Sequence, residues 1–203
     1  IELQKYLGCC LDPLPSLSGS GHVELTMPPL KKVASLRPAA VLVPLLRVKF
    51  DWHILMTKRA AHLAHHAGQV SFPGGKLEPY DSSPVEAALR EALEEIQLSP
   101  NLVQVVGLLD KVLSPAGFLV HPVVGIVRGE NALDNLVSDP AEVDLMFTLP
   151  LTHLIDPANF RLVPRKTDGK RNDYWVVKHD KHLIWGLSAR VLNDLRLRIN
   201  RVV

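Results

Sequence analysis

The clearest pattern of apolar and polar positions in the chain runs over residues 84–97. Six apolar side chains recur there three and four positions apart, as on one face of an α-helix: Val85, Ala88, Leu89, Ala92, Leu93 and Ile96. Ser83 stands at the N-cap position, Pro84 at the first helical position, and Glu86 completes a Ser-x-x-Glu capping box. The stretch is therefore predicted to be an amphipathic helix that packs on a core.

Apolar runs elsewhere predict the remaining elements. Strands or strand ends are expected at Ala39–Val48, His53–Thr57, Val70–Phe72, Val103–Leu109, Phe118–Val127 and Tyr174–Lys178. Helical turns are expected at Pro140–Leu145 and Leu149–Leu154, and a final helix at Leu187–Ile199. Strands before, between and after two helices predict one mixed α/β domain over residues 38–203, including the C-terminal strand and helix. Residues 1–37 are interpreted as an N-terminal extension with at most one short helix.

Composition mainly excludes classes of function. Lys and Arg number 23 and Asp and Glu 21, so a formal charge of +2 argues against a nucleic-acid partner. No apolar run approaches the ~20 residues that cross a membrane. The only cysteines, Cys9 and Cys10, are adjacent, which is poor geometry for a disulfide. We therefore expect a cytoplasmic protein that binds a small molecule; the oligomeric state is not predicted.

The polar face of the predicted helix carries three carboxylates. Glu91, Glu94 and Glu95 are three and four positions apart, so they project together and repel one another. They also lie towards the negative end of the helix dipole, where cations are favoured. A divalent cation such as Mg²⁺ would remove this conflict and could also bind phosphate oxygens. The alternative is a solvated acidic face with Arg90 as a neighbouring charge.

Gly74 and Gly75 follow a predicted strand end and precede the helix. Glycine lets the backbone approach a ligand closely, so this strand–loop–helix unit could hold a phosphate group over a metal. An ordinary tight turn is the alternative.

The stretch Gly75–Leu98 resembles the Nudix box, a long and specific motif. The resemblance implies an α/β/α sandwich with a mixed sheet, whose box helix (about residues 84–97) holds Mg²⁺ or Mn²⁺. It implies Glu91, Glu94 and Glu95 as the metal ligands, with Arg90 orienting them through charge-assisted hydrogen bonds.

The sequence departs from the general box in two places. The spacing from glycine to arginine is one residue longer, which makes Asp81 the early acidic position. Gln97 stands where the box has a glycine, a residue that normally ends a helix in the left-handed conformation.

Flanking sequence narrows the resemblance. Leu55–Ala60 and Gly68–Gly75 look like the motif of Nudix coenzyme A diphosphatases, and so do Ser114–Phe118, Pro140–Val143 and Ile184–Gly186. The similarity covers roughly residues 38–195. It implies hydrolysis of coenzyme A or its thioesters to adenosine 3′,5′-bisphosphate and 4′-phosphopantetheine or its acyl form.

Candidate substrate contacts follow from the same motif. Arg59 and Lys58 could bind phosphate oxygens, Arg59 better because its planar fork suits phosphate. The alternative for Arg59 is a surface cation at a strand end. His66 matches the family pattern, but Ala64 replaces a family arginine. The loop histidines His62, His65 and His66 could compensate for the missing arginine. A zinc site formed by these three histidines lacks an evident fourth ligand.

The general base is predicted to be Glu91 or Glu142. Glu142 lies in an apparent Asp-Pro-Ala-Glu turn, where capping or solvation is the alternative. Two rival functions stay open: hydrolysis of another nucleoside diphosphate derivative, which Ala64 favours, and a catalytically silent nucleotide-binding domain. The complete glutamate set argues against the silent domain.

Overall fold

The computed structural model describes residues 2–13, 36–129, 132–167 and 170–201. The helices are α1 Glu2–Cys10, α2 Pro84–Ile96, α3 Leu151–Ile155 and α4 Gly186–Asn200. The strands are β1 Arg37–Val48, β2 Asp51–Arg59, β3 Val70–Ser71, β4 Gly74–Lys76, β5 Val103–Leu108, β6 Val112–Leu113, β7 Phe118–Val127, β8 Val143–Pro150, β9 Phe160–Val163, β10 Lys166–Thr167, β11 Lys170–Arg171, β12 Tyr174–His179 and β13 His182–Trp185.

Strand β1 is the centre of the main sheet. The sheet runs in the order β3-β2-β1-β7-β5, with β8 beside β2, β4 beside β1 and β6 beside β7. Strands β1 and β7 are parallel, whereas the other pairs are antiparallel, so the sheet is mixed. Strand β1 is apolar on both faces because each face is covered: Ala40 and Leu42 pack under α2, and Val43 and Leu45 pack on the opposite side.

Helices cover both faces of this sheet. Helix α2 packs on one face through its buried alanines and Ile96. On the other face lie α1, α3 and α4, together with a three-stranded sheet of order β13-β12-β9. The α/β/α sandwich with a mixed sheet, expected from the resemblance, is confirmed.

The start of α2 is capped much as the sequence predicts. The backbone N–H of Glu86 donates to Ser83 Oγ at 3.2 Å, and Pro84 is the first helical residue. The return bond differs from a standard capping box, because the Glu86 carboxylate accepts from the N–H and hydroxyl of Ser82. The helix begins at Pro84 as predicted.

The end of α2 shows how Gln97 replaces the glycine of the box. Gln97 adopts the left-handed conformation itself, with φ 53° and ψ 29°. Its N–H donates to Leu93 O at 3.0 Å, and the N–H of Leu98 donates to Ala92 O at 3.2 Å. The bond from Gln97 to Leu93 is that of an αL C-cap motif, so the substitution leaves the helix end intact.

Two predicted helical turns need correction. The prediction of helical turns at Pro140–Leu145 is wrong, because residues from Val143 onward form strand β8, which pairs with β2. Long-range bonding to β2 overrides the local turn signals of this stretch. At Leu149–Leu154, Leu149 and Pro150 end strand β8 and the helix is confined to Leu151–Ile155. The sequence did not predict the short strands β4, β6, β9, β10, β11 and β13.

The described N-terminal residues contribute to the core. Leu7 of α1 and Leu11 are buried in the same cluster as α4. Asp12 forms a β-bridge with Leu108, with both backbone bonds at 3.0 Å. The boundary between an extension and the domain therefore stays a prediction. No helix among the described residues is both long and apolar enough to cross a membrane.

Candidate active site

Arg90 of α2 is bonded to three carboxylates. Its guanidinium donates to both oxygens of Asp81 at 3.0 and 2.9 Å, to Glu91 Oε1 at 3.0 Å and to Glu94 Oε2 at 2.9 Å. It also donates to the backbone oxygen of Lys76 at 3.1 Å. These charge-assisted bonds lower the pKa of Asp81 and hold Arg90 charged. These contacts are compatible with the orienting role expected for Arg90, which stays a prediction.

Glu95 lies outside the reach of Arg90 and is the most buried of the three box glutamates. Its side chain is 3% exposed, against 15% for Glu91 and 55% for Glu94. Burial raises the pKa of Glu95 to about 8. Arg59 opposes this rise, with Nη1 at 3.6 Å from Glu95 Oε1, while nearby carboxylates reinforce it. The site therefore contains a buried carboxylate that its surroundings compensate only in part.

The two glycines before the helix allow close packing. A β-carbon at Gly75 would collide with the carboxylate of Glu91. Gly74 has φ +155°, and a β-carbon there would lie 2.6 Å from the α-carbon of Val41. The backbone N–H of Gly74 also bonds to the Glu95 carboxylate. A larger residue at Gly75 would therefore displace the Glu91 carboxylate, whereas a larger residue at Gly74 would collide with strand β1.

The loop before β8 is fastened to the C-terminal end of α2. The N–H of Asp139 donates to Glu95 O at 2.9 Å, and the N–H of Val137 donates to Ile96 O at 3.2 Å. These bonds satisfy helix carbonyls that otherwise lack partners. The loop carries the half-buried Glu142, whose charge helps to raise the pKa of Glu95. Glu142, proposed from the sequence as a base, is therefore brought to the carboxylate cluster.

Lys58 and Arg59 end strand β2 but make different contacts. Arg59 faces Glu95, whereas Lys58 Nζ forms an ion pair with Asp144 Oδ2 at 2.8 Å. Consecutive strand residues point to opposite faces of a sheet, which separates them. Arg59 is thus placed beside the glutamates and Lys58 is not.

The histidine loop lies beside the loop that carries Glu142. His62 donates to Ala141 O at 3.0 Å, and His66 Nδ1 lies 2.9 Å from Gln69 Oε1. His66 and Ala64 are exposed, and His66 has φ +58°. The role of His66 in substrate binding stays a prediction.

The donor chemistry of the site fits Mg²⁺ or Mn²⁺. Carboxylate oxygens are the ligands these ions prefer. Burial, with Glu94 and Glu142 nearby, raises the pKa of Glu91 although Arg90 opposes the shift, and a divalent cation would stabilise the charged forms. Within the described ranges, no three His, Cys, Asp or Glu side chains form a ready set of metal ligands. Arg90 engages Glu91 and Glu94, so a metal would compete with it for both.

Two features of this site were missed in the sequence. Arg59 was expected beside the metal, but its direct contact with Glu95 was not predicted, because the two residues are remote in the chain. The docking of the loop before β8 onto α2 was also missed. The Asp139-Pro140 pair signals a turn there, but not the surface that the turn contacts.

The fold and the site together define a class of protein. In this class an acidic helix packs on a mixed sheet, and glycines before the helix lie close to its carboxylates. A family model described as the NUDIX domain matches residues 36–167. The Nudix hydrolase NudL of Salmonella dublin, described as uncharacterized, is 38% identical over 83% of this chain and 85% of its own length. The NudL protein of Photorhabdus laumondii is 36% identical over 88% of this chain and 93% of its own. The chain belongs to the Nudix hydrolase family.

The fold of the chain is also similar to that of a solved structure. The structure of a MutT/nudix family protein from Enterococcus faecalis matches with a TM-score of 0.50 at 16% identity, covering 99% of this chain and 73% of that protein. At this identity the likeness bears on the fold alone. Together with the family match, it makes the chain a Nudix hydrolase of the α/β/α type.

Proposed function

We propose that the protein hydrolyses the diphosphate link of coenzyme A or its thioesters, with Mg²⁺ or Mn²⁺. The products are adenosine 3′,5′-bisphosphate and 4′-phosphopantetheine or its acyl form. The observation that carries the hydrolytic part is the buried Glu95 beside the half-buried Glu91, with Arg59 Nη1 3.6 Å from Glu95 Oε1. Two partly compensated carboxylates beside an arginine suit a cation and a diphosphate at one place.

Each residue of the cluster has a distinct task in this proposal. A divalent ion held by Glu91, Glu94 and Glu95 would polarise the diphosphate and activate a water. Arg90 fixes the carboxylates of Glu91 and Glu94, and Arg59 binds a phosphate oxygen.

The base that takes the proton of the attacking water is Glu91 or Glu142. Burial raises the pKa of Glu91, with Glu142 adding to the rise, which brings Glu91 closer to the range of a useful base. Glu142 lies on the neighbouring loop and leaves Glu91 free to bind metal. Glu142→Gln at saturating metal separates them. If Glu142 is the base, this variant should bind metal like wild type and lose turnover; if Glu91 is the base, the variant should keep most of its turnover.

Coenzyme A as the substrate is supported by the segments that resemble the diphosphatase motif. They form the end of β2 and the residues from Gly68 to Gly75, which include β3 and the two glycines packed against the glutamates. Motif residues Arg59 and Gly75 thus contact the proposed metal ligands directly. Coenzyme A carries a diphosphate and a separate 3′-phosphate, which suits a site with arginine and lysine at one strand end.

The rival substrate class is another nucleoside diphosphate derivative. Ala64 favours it, because this position lacks the guanidinium of the coenzyme A motif and is exposed. Losing one charge-assisted bond costs about 1.5–3 kcal/mol of binding free energy, which other contacts could replace.

The test is mass spectrometry of products from a substrate panel with Mg²⁺. The panel contains coenzyme A, acetyl-coenzyme A, a dinucleoside polyphosphate and a sugar nucleotide. Adenosine 3′,5′-bisphosphate should form with wild type and with Glu78→Gln, an exposed loop variant outside the cluster. It should be absent with Glu95→Gln. Cleavage of only the last two substrates would replace coenzyme A with the rival class, and no cleavage at all would leave a binding domain.

A further inference from the structure

A second polar surface lies on the face of β2 and β8 away from α2. It is a groove lined by Lys58, Asp144, Leu145, Lys181 and His182. Lys58 comes from the end of β2, and Lys181 and His182 come from the tight turn into β13 and its first residue. We call this surface the lysine groove. None of its residues belongs to the carboxylate cluster.

Positive charge exceeds negative charge in the lysine groove. Lys58 is paired with Asp144 at 2.8 Å. Lys181 forms no ion pair with any residue that the structure describes. One lysine is therefore left without an anionic partner in a concave site.

The imidazole of His182 is also affected by the excess of positive charge in the lysine groove. It stacks on Phe147 with ring centroids 3.9 Å apart and planes 7° from parallel, which fixes its position in the wall. Burial lowers the pKa of His182, and the charges of Lys181, His179 and Lys58 lower it further, against a smaller opposing effect of Asp180. The positive charges of Lys58 and Lys181 thus both act on the His182 imidazole, and an anion bound between the two lysines would relieve their repulsion.

The lysine groove and the proposed metal site are linked by neighbouring residues of strand β2. Lys58 and Arg59 are consecutive, so their α-carbons are about 3.8 Å apart. Arg59 points to the glutamates and Lys58 into the groove. A substrate bound at the end of β2 could therefore present one anionic group to each side of the strand end.

We propose that the lysine groove binds a phosphate monoester of the substrate, the 3′-phosphate of the coenzyme A nucleotide. This inference rests on the proposed coenzyme A diphosphatase activity. It makes Lys181 a specificity residue that distinguishes coenzyme A from dephospho-coenzyme A and takes no part in bond cleavage.

Kinetics with the two coenzymes test the assignment. Lys181→Met keeps the length of the side chain and removes its charge. We expect it to lower kcat/KM for coenzyme A by about tenfold or more, mainly through KM, and to leave dephospho-coenzyme A unchanged. Lys181→Arg should restore most of the preference. Lys178→Met, an exposed strand lysine outside the groove, is the matched control and should behave as wild type. An equal loss with both coenzymes, or no loss with either, would overturn the proposal.

A binding experiment separates failure of the groove from failure of the proposed activity. Calorimetry compares adenosine 3′,5′-bisphosphate with 5′-AMP, which lacks the 3′-phosphate. Wild type should bind the bisphosphate more tightly, and Lys181→Met should erase the difference. If coenzyme A is not cleaved but this difference is present, the groove assignment holds and the substrate proposal fails. If wild type binds both nucleotides equally, the groove assignment fails whatever the activity.

Discussion

Two arginines on opposite sides of the sheet each bind three carboxylates, with different consequences. Arg198 of α4 contacts Asp12 at 3.4 Å, Asp110 at 2.6 Å and Asp194 at 3.2 Å. These partners come from the N-terminal segment, the turn after β5 and α4 itself. Arg198 also donates to the backbone oxygen of Cys10. It therefore joins segments that are remote in sequence.

The carboxylates around Arg90 are instead local. Asp81, Glu91 and Glu94 all come from α2 or the loop before it, so Arg90 links no distant segments. Immediately beyond its reach lies the buried Glu95. The number of ion pairs therefore does not distinguish the two clusters. They differ in the local origin of the charges around Arg90 and in the buried Glu95 that Arg90 does not reach.

The largest expected difference between variants of the two arginines is in turnover. Arg90→Met removes every bond that holds Glu91 and Glu94, so kcat should fall about 10–100-fold, as for other partners that orient metal ligands. The free energy of unfolding should change less than in Arg198→Met. Steady-state kinetics and urea unfolding on the same preparations make the comparison. Unchanged kcat would remove the positioning role of Arg90.

Arg198→Met should lower the stability of the protein and leave its turnover unchanged. Three half-buried or exposed carboxylates lose their common partner, so the free energy of unfolding should fall by about 2 kcal/mol. Turnover at a temperature where the protein is folded should be unchanged, because no contact of Arg198 reaches the glutamates. Urea unfolding measures the first quantity. A large loss of kcat with unchanged stability would mean that the two arginines do not differ in the way described.

A smaller effect concerns the end of α2. Gln97 is held at φ 53°, a conformation that costs an L-residue about 1–2 kcal/mol. Glycine would avoid this cost, but it loses more backbone entropy on folding, so only part of the cost is recovered. Gln97→Gly should therefore raise the free energy of unfolding by up to about 1 kcal/mol. Gln97→Ala is the control and should give no gain. A destabilised glycine variant would show that the Gln97 side chain itself stabilises the helix end.

Local patterns predicted helix α2, and long-range contacts account for the elements and contacts that these patterns missed. The spacing of Ala88, Ala92 and Ile96 follows directly from burial of one helix face. The same periodicity was wrong for two residues: Leu93, predicted on the apolar face, is 44% exposed, and Glu95, predicted on the polar face, is buried. Strand β8 was mistaken for helical turns because its pairing with β2 depends on residues about ninety positions away. The contacts of Arg198 depend on segments as distant, and no local signal marks them. The Glu95–Arg59 contact likewise required the folded sheet.

The measurement that tests the central claim most directly is Mn²⁺ binding, followed by electron paramagnetic resonance or calorimetry. The account holds that the box glutamates, with Glu95 as the buried member, form a divalent cation site. Wild type and Arg198→Met should bind Mn²⁺ with the same affinity, and Glu95→Gln should lose that binding while remaining folded by circular dichroism. Glu95→Gln that binds Mn²⁺ as tightly as wild type would contradict the assignment of this cluster as the metal site.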